Sequence, residues 1–291
     1  AGIPALSLCF LAGKSGTVYL YRNGKGLLRW LPYDTKPAGI FAQSLPNSPE
    51  GTLGAFCLAT WIGKPVAVLC SIHYLDNPTK ELKSLQLPPG ELVTSFCRHH
   101  LGENLCLVGI GFRSGLIAYY KIDSGYPGDF RPVLKRQYHS DAVSDMLVLD
   151  TSNGIFVHST CRDGSYSIEV LKLSDEDVDA ELVHHLQVPS LTEAHRVCHL
   201  DGQIRIVGFH RKRFVLWDVT TERELVSIDC GGSNRMWTYE QSGTLAWTQA
   251  SAVHIEKIAP SVHDIKINDG GHGREIKTMA LSGHDQLDGA L

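Results

Sequence analysis

His139-Ser140-Asp141 sets the three residue types of a hydrolase triad side by side. A triad needs them to converge from separate elements, and no G-x-S-x-G elbow is present. Metal ligation fails on similar grounds. His99-His100 and His184-His185 are adjacent pairs, and neighbouring side chains on a strand point to opposite faces. The spacing of His195 and His199 would suit a helix; on the strand expected there, residues four apart lie about 13 Å apart, too far to share an ion. His254 with Glu256 lacks the P-C-x-x-C segment of a zinc deaminase. The run Asp269-Gly270-Gly271-His272-Gly273 has no G-K-[ST] and leads into a strand, so it is not a phosphate loop. The expectation is therefore no catalytic residue, no metal and no cofactor.

Residues suited to binding are better represented. His210-Arg211-Lys212-Arg213 sits at a hairpin turn, and Arg131 with Lys135 and Arg136 makes a weaker basic cluster on a connection. Such clusters can hold phosphates. Cys230-Gly231-Gly232-Ser233-Asn234-Arg235-Met236-Trp237 and Gly271-His272-Gly273-Arg274-Glu275-Ile276 are two glycine-and-arginine loops, each entering a strand. Glycines let a loop approach another backbone closely, while Arg and Trp are enriched at binding hot spots. The candidate residues for contact with a partner or with RNA are thus Arg235, Trp237, His272, Arg274 and Glu275, with Arg211, Lys212 and Arg213. Against them stand framework roles: a solvated turn for the basic cluster, core for Trp237, and pairing with a neighbouring unit for Arg235.

The chain of 291 residues is 43% hydrophobic and 20% charged, which excludes wholesale disorder. A net charge of −4 excludes a broadly cationic nucleic-acid binder and leaves only local patches for such a role. No stretch approaches the length of apolar sequence that spans a bilayer. Eight cysteines contain no C-x-x-C pair and mostly fall within apolar runs, and no N-x-[ST] acceptor with a permitted middle residue occurs. These features favour a reducing compartment and a cytoplasmic location. Residues 1–13 are apolar without a cationic segment before them, so they read as a core strand rather than a signal peptide. The start at Ala1 and the polar end suggest a piece of a longer chain.

Apolar hairpins recur along the sequence. Their second strands begin at residues 18, 66, 116, 166, 214 and 253, at intervals of 48, 50, 50, 48 and 39. Further strands are expected at Leu92–Cys97, Ala142–Leu149, Arg196–Leu200, Leu225–Ile228 and Arg235–Tyr239. Ser174–His185 is acidic and reads as a loop leading into a strand. A four-strand unit repeating at this period predicts an all-β fold, a β-propeller of about six to seven four-stranded blades in one domain over residues 1–291. Residues 274–282 read as the entering strand of one more blade, and the first blade is expected to lack its own.

Phe214-Val215-Leu216-Trp217-Asp218 ends a third strand in Trp-Asp and resembles the WD-repeat signature. His139, Ser159, Thr160 and Asp163 occupy the positions of that family's buried His–Ser/Thr–Asp set in the preceding unit, without its Trp. The segments C-G-G-x-x-R-x-W and H-G-R-E-I resemble, more narrowly, the WD-repeat family that serves as non-catalytic partner of the wobble-position tRNA ribose 2′-O-methyltransferase. The resemblance rests on Cys230 to Ile276. It implies a scaffold without chemistry of its own, which binds the methyltransferase subunit and helps present the tRNA anticodon loop. The alternatives are a general WD-repeat interaction scaffold, as in trafficking or ubiquitin-ligase adaptors, and a propeller hydrolase, for which no convergent acid–histidine set is visible.

Overall fold

The computed structural model describes residues 2–3, 8–13, 17–22, 26–31, 35–44, 55–73, 79–102, 105–126, 128–174, 177–240 and 243–258. Among these there are strands and no helix. The first sheet comprises β1 (Gly2–Ile3), β2 (Leu8–Ala12), β3 (Val18–Arg22) and β4 (Gly26–Leu31). The second comprises β5 (Pro37–Ser44), β6 (Ala55–Trp61), β7 (Val66–His73) and β8 (Thr79–Gln86). The third is built from β9 (Val93–His100), β10 (Leu105–Phe112), β11 (Leu116–Asp123) and β12 (Leu134–Gln137), and the fourth from β13 (Val143–Thr151), β14 (Gly154–Cys161), β15 (Ser165–Leu173) and β16 (Val178–Gln187). The fifth holds β17 (Glu193–Leu200), β18 (Gln203–His210), β19 (Arg213–Asp218) and β20 (Arg223–Asp229). The sixth holds β21 (Trp237–Tyr239), β22 (Thr244–Gln249) and β23 (Ala252–Lys257). All pair antiparallel in chain order, and the entering strands β9, β13 and β17 pack side by side. The sheets are blades of a propeller.

Two expectations are corrected. The first blade does have an entering strand, since Gly2 and Ile3 pair with Cys9 and Leu8. The segment after Ser174 is a ten-residue outer strand: Val178 and Ala180 are buried while Asp179 and Glu181 are exposed, a period of two that the acidic composition concealed. The strand expected at residues 274–282 lies outside the described residues.

Strands form here because both faces of each inner sheet have a neighbour. All seven residues of β6 are buried. Its alternate residues Ala55, Cys57 and Ala59 pack with Phe10, Val18 and Leu20 of the first blade. The intervening Phe56 and Leu58 pack with Val108, Ile110 and Tyr120 of the third. The next interfaces continue through Tyr119, Val143 and Val157, then Tyr166, Ile206 and Trp217, then Phe209, Phe214, Tyr239 and Trp247. Each such side chain contributes about 1.5–3 kcal/mol by leaving water. Gly111 permits the close approach of blades three and four, because a methyl there would lie 2.7 Å from Val143 Cβ.

The WD signature acts as a turn device. Asp218 Oδ1 accepts the Thr221 backbone N–H at 2.7 Å and the Thr221 hydroxyl at 2.9 Å, capping the turn after β19. Arg205, 1% exposed, stands across the ladder from Asp218; its Nη2 donates to Gln203 Oε1 at 3.4 Å, while its Nε and Nη1 are buried without a hydrogen-bond partner.

The fourth blade keeps the polar set with altered membership. His139 is buried, with Nδ1 2.9 Å from Ser165 Oγ and Nε2 2.9 Å from Ser159 Oγ. Thr160 instead pairs with Ser144 at 3.0 Å. Asp163 accepts the Ser165 N–H at 2.9 Å and the Ser140 hydroxyl at 2.5 Å. Burial alone would raise the Asp163 carboxyl, but these hydrogen bonds outweigh it and hold it well below the usual range. Burial, then the nearby His185, pushes His139 down to about 4, so it is neutral at pH 7.

The missing Trp is replaced by an acid. Five residues past the turn glycine, Glu169 stands where Trp217 stands five residues past Lys212. It is fully buried, and the Tyr119 hydroxyl of blade three interacts with it without reaching good hydrogen-bond geometry. Burial raises its pKa from 4.5 to about 7, against the lowering effects of Tyr119 and Arg136. A carboxyl raised in this way supports the fold fully below pH 4.5 and loses that contribution as pH rises through 7. Glu169→Gln is neutral at every pH. It should match the parent near pH 4–5 and exceed it at pH 8 by about 1–3 kcal/mol in urea melts. Equal stability at pH 8 would mean that the carboxylate is not desolvated.

Candidate partner or RNA interface

Antiparallel order within a blade puts the turn between its second and third strands on the same rim as the loop entering its first strand. Backbone hydrogen bonds join the two at successive blades. Arg113 N donates to Leu92 O at 2.9 Å, Arg162 N to Ala142 O at 2.9 Å, and Thr192 N to Phe209 O at 2.8 Å. The rim is therefore held by the framework rather than by loose loops.

In blade five this turn is Arg211-Lys212. Arg211 adopts φ 57°, where other blades place Gly63, Gly115 and Gly164 at positive φ. Its N–H donates to Thr192 Oγ1 at 3.1 Å, and that hydroxyl donates to Phe209 O at 3.0 Å. The loop into blade six then folds onto the turn. Cys230 N donates to Lys212 O at 3.2 Å, and Arg235 N to Gly232 O at 3.2 Å. Gly232, at φ 94°, lies so close that an added methyl would sit 2.8 Å from Arg211 O. Met236 O accepts Thr248 N at 2.9 Å and fixes the loop to blade six.

The structure thus brings Arg211, Lys212, Arg213 and Arg235 to one sector of one rim, all exposed, with Met236 78% exposed beside them. Asp229 is the acid of this sector. It lies across the ladder from Arg213, and its Oδ1 accepts Gly231 N at 3.3 Å. Trp237 is half-buried beneath. Its ring centroid lies 5.0 Å from Phe209, 5.5 Å from His195 and 6.3 Å from Phe214. Burial lowers the His195 pKa, partly opposed by Glu193, whose Oε2 is 3.2 Å from Nε2. His272, Arg274 and Glu275 lie outside the described residues. The cluster of Arg131, Lys135 and Arg136 is not on this rim: Arg136 forms an ion pair with Asp179 and donates to Ala180 O at 3.1 Å, joining the outer strands of blades three and four.

Arg162 is a rim residue that the sequence reading missed. It is exposed, and its charge acts on His195. A signal for it existed: Lys64, Arg113, Arg162 and Arg211 follow one another at 49-residue steps, one in the same turn of each of four successive blades.

Two substitutions test this geometry in thermal or urea melts. Arg211→Gly should stabilise by roughly 0.5–1 kcal/mol through relief of the left-handed conformation. Gly232→Ala should cost about 1–3 kcal/mol. Destabilisation by the first, or indifference to the second, would contradict the described turn and loop.

No family model matches the chain. Among solved structures, a chain in the crystal structure of the mitotic checkpoint complex superposes with a TM-score of 0.52 at 16% identity, over 88% of this chain and 72% of that one. This likeness shows the fold alone. Among curated proteins, the tRNA (34-2′-O)-methyltransferase regulator WDR6 of mouse is 29% identical over 97% of this chain, that of human 27% over 90%, and that of rat 24% over 97%. The chain spans 27–28% of the length of these relatives. Over nearly its whole length, this WD-type β-propeller is similar to about a quarter of a tRNA methyltransferase regulator.

Proposed function

We propose that this propeller is part of a non-catalytic WD-repeat scaffold that binds a tRNA ribose 2′-O-methyltransferase and helps present the anticodon loop for methylation at the wobble position. The observation that carries the reading is similarity to named regulators across all the described blades, rather than at one motif. The rim of blades five and six supports it with a rigid, exposed surface of arginine and lysine. The residues that could have suggested hydrolysis serve elsewhere: His139 is buried and neutral, and Ser140 donates to Asp163. All eight cysteines are free thiols, which supports the cytoplasm as the site of action.

The test is affinity purification of the whole protein with its partners identified by mass spectrometry. A tRNA ribose methyltransferase should be recovered, and Arg235→Ala should reduce its recovery or its activity on tRNA several-fold without lowering the melting temperature. Recovery of unrelated trafficking or ubiquitin-ligase components alone would leave a general interaction scaffold.

A further inference from the structure

We infer that the rim bearing Lys64, Arg113, Arg162 and Arg211, continued through Lys212, Arg213 and Arg235, is a track for the phosphodiester backbone of folded RNA, read by charge and not by base sequence. The inference rests on the tRNA-linked function proposed above and assigns one surface of the propeller to the RNA.

Three observations carry it. The first is periodicity: the repeat delivers one exposed cation to the same turn of four successive blades, so the charges form a row along the rim. A row suits a chain of phosphates, whereas a protein partner is anchored by a few buried aromatic or apolar side chains. The second is the opposite rim, where Asp123, Asp129, Asp177, Asp201, Glu222 and Glu240 are exposed in the other set of turns, with Arg131 and Arg223 among them. The net charge of −4 therefore conceals a sided distribution, and polyanions are steered to one face. The third is the state of the acids on the cationic rim. Asp163 is engaged by Ser140 and Ser165, Glu193 by His195, Asp141 by the Ala142 N–H and Asp229 by the Gly231 N–H. Glu91 is half-buried. The guanidiniums and ammoniums are left to an external anion, and arginine's planar fork matches phosphate oxygens in pairs.

The experiment measures equilibrium binding of the whole protein to an unmodified tRNA transcript, and to a structured RNA of equal length and unrelated sequence, across about 50–200 mM salt. The test variant carries Lys64→Gln, Arg113→Gln, Arg162→Gln and Arg211→Gln. The control carries Asp201→Asn, Glu222→Gln and Glu240→Gln on the other rim. Melting curves confirm that both are folded. The test variant should lose affinity for both RNAs tenfold or more at the low-salt end, with a slope of log affinity against log salt shallower by about 3. The control should retain the parental slope, and the test variant should still co-purify with the methyltransferase. An unchanged slope overturns the inference. So does loss of the methyltransferase with RNA affinity intact, which would make the rim a protein interface. Failure of the parent to recover any methyltransferase would count against the proposed function, whatever the salt slope shows.

Discussion

Face-to-face burial between neighbouring sheets is the interaction on which the rest of this structure depends. Ala55–Trp61 has no solvent-facing residue because one face of its sheet meets Phe10 and Val18 and the other meets Val108 and Ile110. The same requirement fixes the register of every hairpin, since a slip by one residue would exchange the two faces. The rim follows from pairing within each sheet. The ladder between first and second strands runs on past its end and brings the turn of a blade and the loop entering it within hydrogen-bonding distance, as Thr192 and Phe209 show. Functional side chains on such turns are preorganised by the core beneath them. The outer faces of the first and last sheets show the complementary case. Leu11 and Tyr21 on the first, and Val253 and Ile255 on the last, are exposed large hydrophobics of a kind that the other interfaces bury.

Some polar groups inside the stack are given partners, whereas others, such as Arg205 Nε and Nη1 and the Tyr239 hydroxyl, are buried without a hydrogen bond. His139 reaches two serine hydroxyls, and the Lys83 ammonium, 9% exposed, donates to Ser124 O and Tyr126 O. Glu169 is among those left without a hydrogen bond. It takes a tryptophan's place between two blades, and desolvation dominates its titration. The degenerate repeat therefore keeps the geometry of its turns while exchanging the chemistry of individual positions.

The hairpins were legible from sequence because their two central strands are apolar and joined by short turns. The outer strand β20 was visible as Leu225–Ile228, but β8, β12 and β16 were hidden, each for a local reason. In β8 the expected polarity is inverted, with Leu82 46% exposed and Lys83 buried. In β12 the residues Leu134–Gln137 form only four positions of mixed character. In β16 the acids Asp179 and Glu181 take the solvent side of an alternation confined to Val178–Glu181, after which residues 182–185 are all exposed. At the candidate site, the basic turn at Arg211–Arg213 and the Arg235 loop were visible as composition, but their contact was not, because it depends on Gly232 meeting Arg211 across blades. Net charge was a poor guide to local charge for a similar reason: acids and bases nearly cancel in the sum, while the turns between second and third strands carry the row of arginine and lysine and the other turns carry mostly acids.

The similarity to tRNA methyltransferase regulators and the sided charge lead to one claim, that RNA lies along the rim of the turns between second and third strands. Ultraviolet cross-linking of the whole protein to tRNA, followed by peptide mapping, tests it most directly. The account predicts cross-links within residues 62–65, 113–115, 162–164, 210–213 and 230–236. Cross-links confined to the opposite rim, at residues 123–133, 201–202 or 219–222, or absent from this propeller, would contradict it.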